Sequence, residues 1–320
     1  MECANCGATV LLTDQFCEEC GTALTATAPK NTTQGCQKCG AKIENIDEEG
    51  YCSQCGFRNV IHEKERLEIL INANLAGVSD RGIRHHRNED YLALEQIDQN
   101  NTQIIVVCDG VSSSEKPELA SRTAAESTCQ FLTQTELENP EIAIKLAINF
   151  ALKSISDLPI KIKDNNNPPS TTIVTALVKN GIATIGWLGD SRAYWLDINN
   201  HEYQQLTQDH SWLTEVVNAG EMTENEARKS PNAHAITRWL GADVIGDAEP
   251  TIINFKIPNS GYLLLCTDGL WNYSPDIEDL GNLIKQSPEK DVMNISQFLV
   301  EFARQCGGHD NITVGVLRVC

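Results

Sequence analysis

Residues Ile104-Ile105-Val106-Val107-Cys108-Asp109-Gly110 form a run of five apolar side chains that stops on an acid and a glycine. Such a run is strand-length. Asp-Gly at its end is a turn signal. It also leaves a carboxylate at the rim of a rigid sheet with its oxygens accessible. The arrangement recurs along the chain. Leu263–Thr267 runs into Asp268-Gly269, and Gly186-Trp187-Leu188-Gly189 into Asp190. Glu89-Asp90 stands just before Tyr91–Ile97, and Asp310-Asn311 just before Ile312–Val316. Taken singly, each is an ordinary turn. If such strand ends converge, their carboxylates make an all-oxygen cage suited to Mg²⁺ or Mn²⁺ rather than Zn²⁺.

Outward from these motifs, strands are expected at Leu75–Ser79, Tyr91–Ile97, Gln103–Cys108, Thr172–Val178, Ile182–Leu188, Ala193–Asp197 and Glu202–Leu206. More follow at Thr251–Ile257, Tyr262–Thr267 and Ile312–Val319. Helices are expected at Glu118–Thr133, Glu141–Ser156, Asp276–Lys285 and Ile295–Gln305, with a shorter helical region over Ser211–Lys229. Strands come in consecutive runs and helices in pairs. That segregation argues against a βαβ parallel sheet and for an α+β fold of antiparallel sheets with helices outside.

The first 55 residues differ in kind. They hold four C-x-x-C pairs, Cys3/Cys6, Cys17/Cys20, Cys36/Cys39 and Cys52/Cys55, with ten residues between the first two pairs and twelve between the last two. Each pair of such turns supplies the four sulfurs of a tetrahedral Zn²⁺ shell, so two structural Zn²⁺ in tandem zinc ribbons are expected. Redox C-x-x-C chemistry is disfavoured, because four motifs occur with no βαβ pattern around them. The expected organisation is a ribbon region over 1–60 (about 1–25 and 34–60), a linker over 61–70, and a larger domain over 71–320.

With 44 acidic and 25 basic residues the formal net charge is −19. So acidic a chain repels a phosphate backbone, which makes nucleic acid a poor general partner. No apolar run reaches the eighteen or so residues of a membrane span, so no membrane insertion is expected. Met1-Glu2-Cys3 opens no secretory signal, and cysteines at metal spacing fit a reducing, cytoplasmic setting.

From about residue 70 to 320 the chain resembles the metal-dependent serine/threonine phosphatases of the PP2C or PPM family. The motifs that carry the likeness are Ser79-Asp80-Arg81-Gly82 with Asn88-Glu89-Asp90, Val107-Cys108-Asp109-Gly110, Ser170-Thr171-Thr172 and Leu188-Gly189-Asp190-Ser191-Arg192. Leu206-Thr207-Gln208-Asp209-His210-Ser211, Ile236-Thr237-Arg238-Trp239-Leu240-Gly241, Cys266-Thr267-Asp268-Gly269 and Asp310-Asn311-Ile312-Thr313-Val314 complete the set. The resemblance implies an α-β-β-α layered sandwich of two antiparallel sheets. It implies a phosphoprotein substrate whose phosphoserine or phosphothreonine is hydrolysed by direct attack of a metal-activated water. It makes Asp90, Asp109, Asp268 and Asp310, with the Gly110 carbonyl, ligands of two Mn²⁺ or Mg²⁺ ions. Glu89 would bind through water, and Asp190 would help hold a weak third ion.

Three departures stand out. Relatives place a phosphate-gripping arginine where this chain has His85, so either His85 or a re-aimed Arg84 would take that part. No histidine follows Asp109-Gly110 to serve as a general acid. Asn272 stands four residues after Asp268, where an acid often supports the third metal. These departures motivate an alternative, a pseudophosphatase that binds phosphoproteins without turnover. A cysteine-based tyrosine phosphatase is a weaker rival, since Cys52 and Arg58 match C-x₅-R only by spending a zinc ligand. The ribbons are expected to recruit a protein partner or to cap the domain.

Overall fold

The protein divides into two compact units, Met1–Ile61 and His62–Cys320. The structure is a computed structural model that describes residues 35–36, 38–46, 52–56, 65–97, 102–135, 138–160, 167–243, 246 and 248–319. Cys3, Cys6, Cys17 and Cys20 lie outside the described residues, as does Arg58.

In the first unit two knuckles face one another. The Gly40 N–H donates to the Cys36 carbonyl at 2.9 Å, and the Gly56 N–H to the Cys52 carbonyl at 2.8 Å. Both glycines have positive φ, +74° and +68°, a conformation that a side chain would strain. The sulfurs of Cys36 and Cys55 come within 3.5 Å, and those of Cys39 and Cys52 within 3.6 Å. A ZnS₄ tetrahedron with bonds of about 2.3 Å has sulfur–sulfur edges of about 3.8 Å, so this spacing fits a metal and not a disulfide.

In the second unit the chain runs β1 (Arg66–Asn72), β2 (Leu75–Asp80), β3 (Asp90–Ile97), β4 (Thr102–Asp109), α1 (Pro117–Gln134) and α2 (Pro140–Ser156). It continues with β5 (Ser170–Thr171), β6 (Ile173–Lys179), β7 (Ile182–Leu188), β8 (Arg192–Asp197), β9 (Glu202–Gln205), α3 (Trp212–Asn218) and α4 (Glu224–Ala227). Then come β10 (Leu240–Gly241), β11 (Thr251–Lys256), β12 (Gly261–Cys266), α5 (Asp268–Trp271), α6 (Ile277–Gln286), α7 (Val292–Gln305) and β13 (Ile312–Val319). Among the described residues one sheet has the order β1-β2-β13-β12-β8-β9 and the other β11-β7-β6-β4-β3, while β5 and β10 form a small pair. All these pairings are antiparallel.

Period-2 alternation decides the layering. In β4, Ile104, Val106 and Cys108 pack with α1 and α2, while Ile105 and Val107 face the other sheet. In β12, Tyr262, Leu264 and Cys266 pack with α6 and α7, while Leu263 and Leu265 point between the sheets. Three cores therefore separate four layers, α-β-β-α. Central strands buried on both faces explain why these antiparallel strands read as unbroken apolar runs. Helix starts are locally encoded: Asn139 accepts the Ile142 N–H at 3.1 Å with Pro140 in the first turn of α2, and Asp291 caps α7.

One expectation needs correction. Residues 66–70, expected from sequence as linker, open β1 at the edge of the first sheet. Ile69 and Ile71 pack toward the inter-sheet core, but Leu70 between them is 60% exposed. That apolar residue on the solvent face spoils the alternation that marks an amphipathic strand.

The layered packing predicts unequal costs for two similar truncations. Ile105→Ala, between the sheets, should lower unfolding free energy by about 2–5 kcal/mol in urea titration, whereas Leu70→Ala should change it by less than about 0.5 kcal/mol.

Candidate active site

Asp90 opens β3 and Asp109 closes β4, and the two are register partners. Asp190 lies in the turn between β7 and β8, Asp268 follows β12 at the start of α5, and Asp310 just precedes β13. The strands alternate in direction and belong to two facing sheets, yet these five ends share one rim. Their mutual electrostatics record it. Burial, and then the charges of Asp90, Asp268, Asp310 and Asp190, push the Asp109 carboxyl well above the usual range. Burial pushes Asp268 well up too, followed by Asp190, Asp310 and Asp90. Asp90 is pushed up to about 8, by burial first and also by Asp310. Asp190 rises to about 7 through burial, then Asp209 and more weakly Asp310. Carboxylates perturb one another in this way only when they are close in a poorly solvated place.

The donor set suits hard divalent cations. Asp90 Oδ1 and Asp268 Oδ1 are buried with no hydrogen-bond donor satisfying them among the described residues. A buried carboxylate oxygen left so is costly unless a cation meets it. Among the described residues only the four ribbon cysteines have ligand atoms all within 4.8 Å of one another. No three of the described aspartates offer ligand atoms that close together.

Uncharged groups hold the cluster in place. Thr267 Oγ1 donates to Asp90 Oδ2 at 2.9 Å and accepts the Thr313 N–H at 3.0 Å. Ser79 and Thr313 hydroxyls meet at 2.7 Å, and Asn88 Nδ2 donates to Ser79 Oγ at 2.9 Å. The Asp109 carbonyl accepts from the Thr172 N–H at 2.7 Å and from Thr171 Oγ1 at 2.8 Å. Those threonines are buried supports, not nucleophiles. Asn311 is a clip: its Nδ2 donates to the carbonyls of Arg81 (2.8 Å) and Arg87 (3.0 Å), and its Oδ1 accepts the Glu89 N–H at 2.8 Å. Nothing in the Asp-Asn-Ile-Thr spacing announces this role, because the three partners lie more than 200 residues earlier.

The remaining expected site residues fall in varied places. Glu89 is buried with Oε1 taken by Arg87 Nε at 2.8 Å and Oε2 by Ser112 Oγ at 2.5 Å. It is thus turned to protein donors and is not a principal cause of any shift in the aspartate cluster. The Gly110 N–H donates to the Glu89 carbonyl at 3.1 Å, which fixes Gly110 between the two acidic motifs. His85 Nε2 lies 3.2 Å from Asp310 Oδ1, whereas Arg84 is exposed. Asn272 Nδ2 donates to Asp268 Oδ2 at 3.1 Å, where an acid would have added to the repulsion.

Asp209, His210 and Ser211 diverge. Asp209 takes a two-pronged pair from Arg192, at 2.9 and 2.7 Å, and that guanidinium lies 3.6 Å over the Trp271 ring. The His210 ring stacks on Trp187 at 5.9 Å, and burial, then Arg238, hold its pKa down to about 4. Ser211 caps α3. No catalytic triad exists here.

The model of a protein family described as "Protein phosphatase 2C" matches residues 81–310, and that of a "Double zinc ribbon" matches residues 3–56. The chain belongs to the protein phosphatase 2C family. It is a protein serine/threonine phosphatase, preceded by a double zinc ribbon. A serine/threonine phosphatase stp of Listeria monocytogenes is 31% identical over 244 residues, covering 74% of this chain and 92% of that protein. The crystal structure of the serine/threonine phosphatase Stp1 from Staphylococcus aureus superposes with TM-score 0.66 at 26% identity, covering 79% of this chain and 98% of the other. The catalytic domain of the phosphatase PstP, crystallised with two manganese ions, shares the fold with TM-score 0.63 at 24% identity, over 77% and 98% of the two chains. Phosphoproteins are thus the substrates of this phosphatase. Among its described residues no helix is long and apolar enough to cross a membrane.

The raised carboxyls give the phosphatase a pH signature when divalent ions are chelated. Asp190 and Asp90 titrate near 7 and 8 when folded, against about 4 when unfolded. Their protonated forms stabilise the folded state, fully below about pH 4, and that stability is lost as pH rises through 7 and 8. Chelated protein should therefore melt lower at pH 8 than at pH 5.5, and Mn²⁺ should raise the midpoint more at pH 8. Equal midpoints and equal Mn²⁺ shifts in thermal scans would contradict a shared carboxylate pocket.

Proposed function

We propose that Asp90, Asp109, Asp268 and Asp310, with the Gly110 carbonyl, hold two Mn²⁺ or Mg²⁺ ions, and that Asp190 contributes to a weaker third site. The observation that carries this reading is the mutual elevation of the aspartate pKa values around two unsatisfied buried oxygens. The two manganese ions in the PstP structure support manganese as one natural occupant. Bound there, such a pair of cations would activate a water and neutralise phosphate oxygens during in-line attack on the phosphoester. Sheet rims keep the acids at fixed separation, so little reorganisation is needed as charge moves in the transition state. With His85 beside Asp310, the exposed Arg84 is the better-placed contact for the incoming phosphate. Glu89 serves as a positioning residue through Arg87 and Ser112 rather than as a ligand.

Cys36, Cys39, Cys52 and Cys55 hold one Zn²⁺ in this reading, and the matching spacing of Cys3, Cys6, Cys17 and Cys20 assigns them a second. With a net charge of −19, the ribbons fit recruitment of a protein partner better than of nucleic acid.

Hydrolysis of p-nitrophenyl phosphate and of a phosphothreonine peptide should require Mn²⁺ or Mg²⁺. Asp109→Asn and Asp268→Ala should each lower kcat by roughly a thousandfold, the worth of several kcal/mol of lost charge stabilisation. Metal-independent turnover, or none from wild type, would overturn the assignment. For the ribbons, Cys52→Ser should lower bound zinc from two equivalents to one by elemental analysis.

A further inference from the structure

At the back of the acidic rim, five charged side chains alternate in sign across β1, β2 and α7. Asp80, at the end of β2, has a side chain only 6% exposed. Its Oδ2 accepts from Arg66 Nη1 at 2.7 Å, and its Oδ1 accepts from Arg304 Nη1 at 2.5 Å. Arg66 pairs onward with Glu68 at 2.7 Å and Arg304 with Glu301 at 3.5 Å. Gln297 of α7 closes the loop by donating to Glu68 Oε2 at 2.8 Å.

Asp80 Oδ1 also accepts the Gly82 N–H at 2.9 Å, which shapes the turn after β2. An asparagine would serve that turn equally well. The carboxylate is needed instead by the two guanidinium groups.

This turn is stitched to the Asp310 loop. Gly82 has φ +74°, and a Cβ there would fall on the Asp310 carbonyl oxygen. The N–H groups of Ile83 and Arg84 donate to the Gly308 carbonyl at 2.8 and 3.1 Å. The Arg81 carbonyl accepts from Asn311 Nδ2 at 2.8 Å, while the Arg81 N–H donates to the Glu65 carbonyl at 2.9 Å. From Glu65 and Arg66, which follow the ribbon unit in sequence, one chain of contacts to the Asp310 loop thus passes through Asp80, Arg81 and Gly82. None of these three residues has a place among the proposed metal ligands.

We infer that Asp80, gripped by Arg66 and Arg304, is a positioning residue for the Asp310 loop, and that Arg66 couples the entering strand β1 to the divalent-cation affinity of the active site. The inference rests on the proposed role of Asp310. The sequence offers no warning of it, since Arg66, Asp80 and Arg304 are contiguous only after β1 and α7 dock on β2.

The test is Mn²⁺ binding to the full chain, read from the electron paramagnetic resonance signal of free Mn²⁺, with thermal midpoints and kinetics in parallel. Asp80→Asn should raise the Mn²⁺ dissociation constant about tenfold, in line with the loss of an outer-shell partner, and Arg66→Met should raise it about threefold. Arg66→Lys should recover most of the Arg66→Met loss, and kcat should fall with affinity while KM for p-nitrophenyl phosphate stays constant. Lys145→Met, which removes an exposed ion pair with Glu249, should change neither quantity. Affinities within twofold of wild type, with only the melting midpoint lowered, would reduce Asp80 to a structural residue and overturn the inference. If Asp80→Asn fails to fold, Arg66→Met and its lysine rescue decide alone. A wild-type chain that binds no Mn²⁺ would instead remove the metal assignment beneath it.

Discussion

Repulsion between buried carboxylates is the constraint around which this phosphatase is organised. Asp90, Asp190, Asp268 and Asp310 each raise the proton affinity of others in the cluster, and burial amplifies the effect. A flexible loop would relieve that strain by swinging an acid into water. Here each acid borders a strand or a helix start, and the strands are locked between three apolar cores. Stability is thereby supplied by the layers and drawn down at the rim, where the crowded carboxyls hold protons more tightly than they would in water.

The layers were legible because they obey local rules. β7 and β13 occupy the very residues expected, and the central strands differ from expectation by a residue or two at their ends. Unbroken apolar runs and capped helices are short-range signals, and nothing tertiary overrules them here. The acidic strand ends were equally visible, since each follows or precedes its own strand. What escaped notice is everything whose meaning depends on distant partners. Asn311 looks like half of a turn, Asp80 like a turn acid, and Thr267 like the last residue of a strand. Their work is defined by Glu89, Arg304 and Asp90, which no spacing rule connects to them. The edge strand β1 was missed for the opposite reason: one exposed leucine blurs a pattern that is otherwise present.

His85 illustrates how motif position and chemistry separate. It occupies the place where the family resemblance leads one to expect an arginine, yet its ring lies against Asp310 Oδ1. An imidazole is shorter and less richly furnished with donors than a guanidinium, so it meets the nearest acceptor and goes no further. Similarly, Asp209-His210-Ser211 reads as three catalytic letters in a row, but adjacent side chains on an extended segment diverge. Each is absorbed by a different neighbour, Arg192, Trp187 and the start of α3.

The position of β13 carries a consequence for biosynthesis. It lies between β2 and β12, so residues near 75–80 wait for residues 312–319 before the first sheet can close. During translation β2 would present an unpaired apolar margin from its own emergence until β13 is made, and β12 one over the shorter stretch from residue 266 to 312, a template for wrong pairing. Closing a loop of this size also makes assembly slow relative to helical proteins. Because Asp310 is delivered by the same late segment, a nascent chain lacks one of the five clustered acids until that keystone strand is seated.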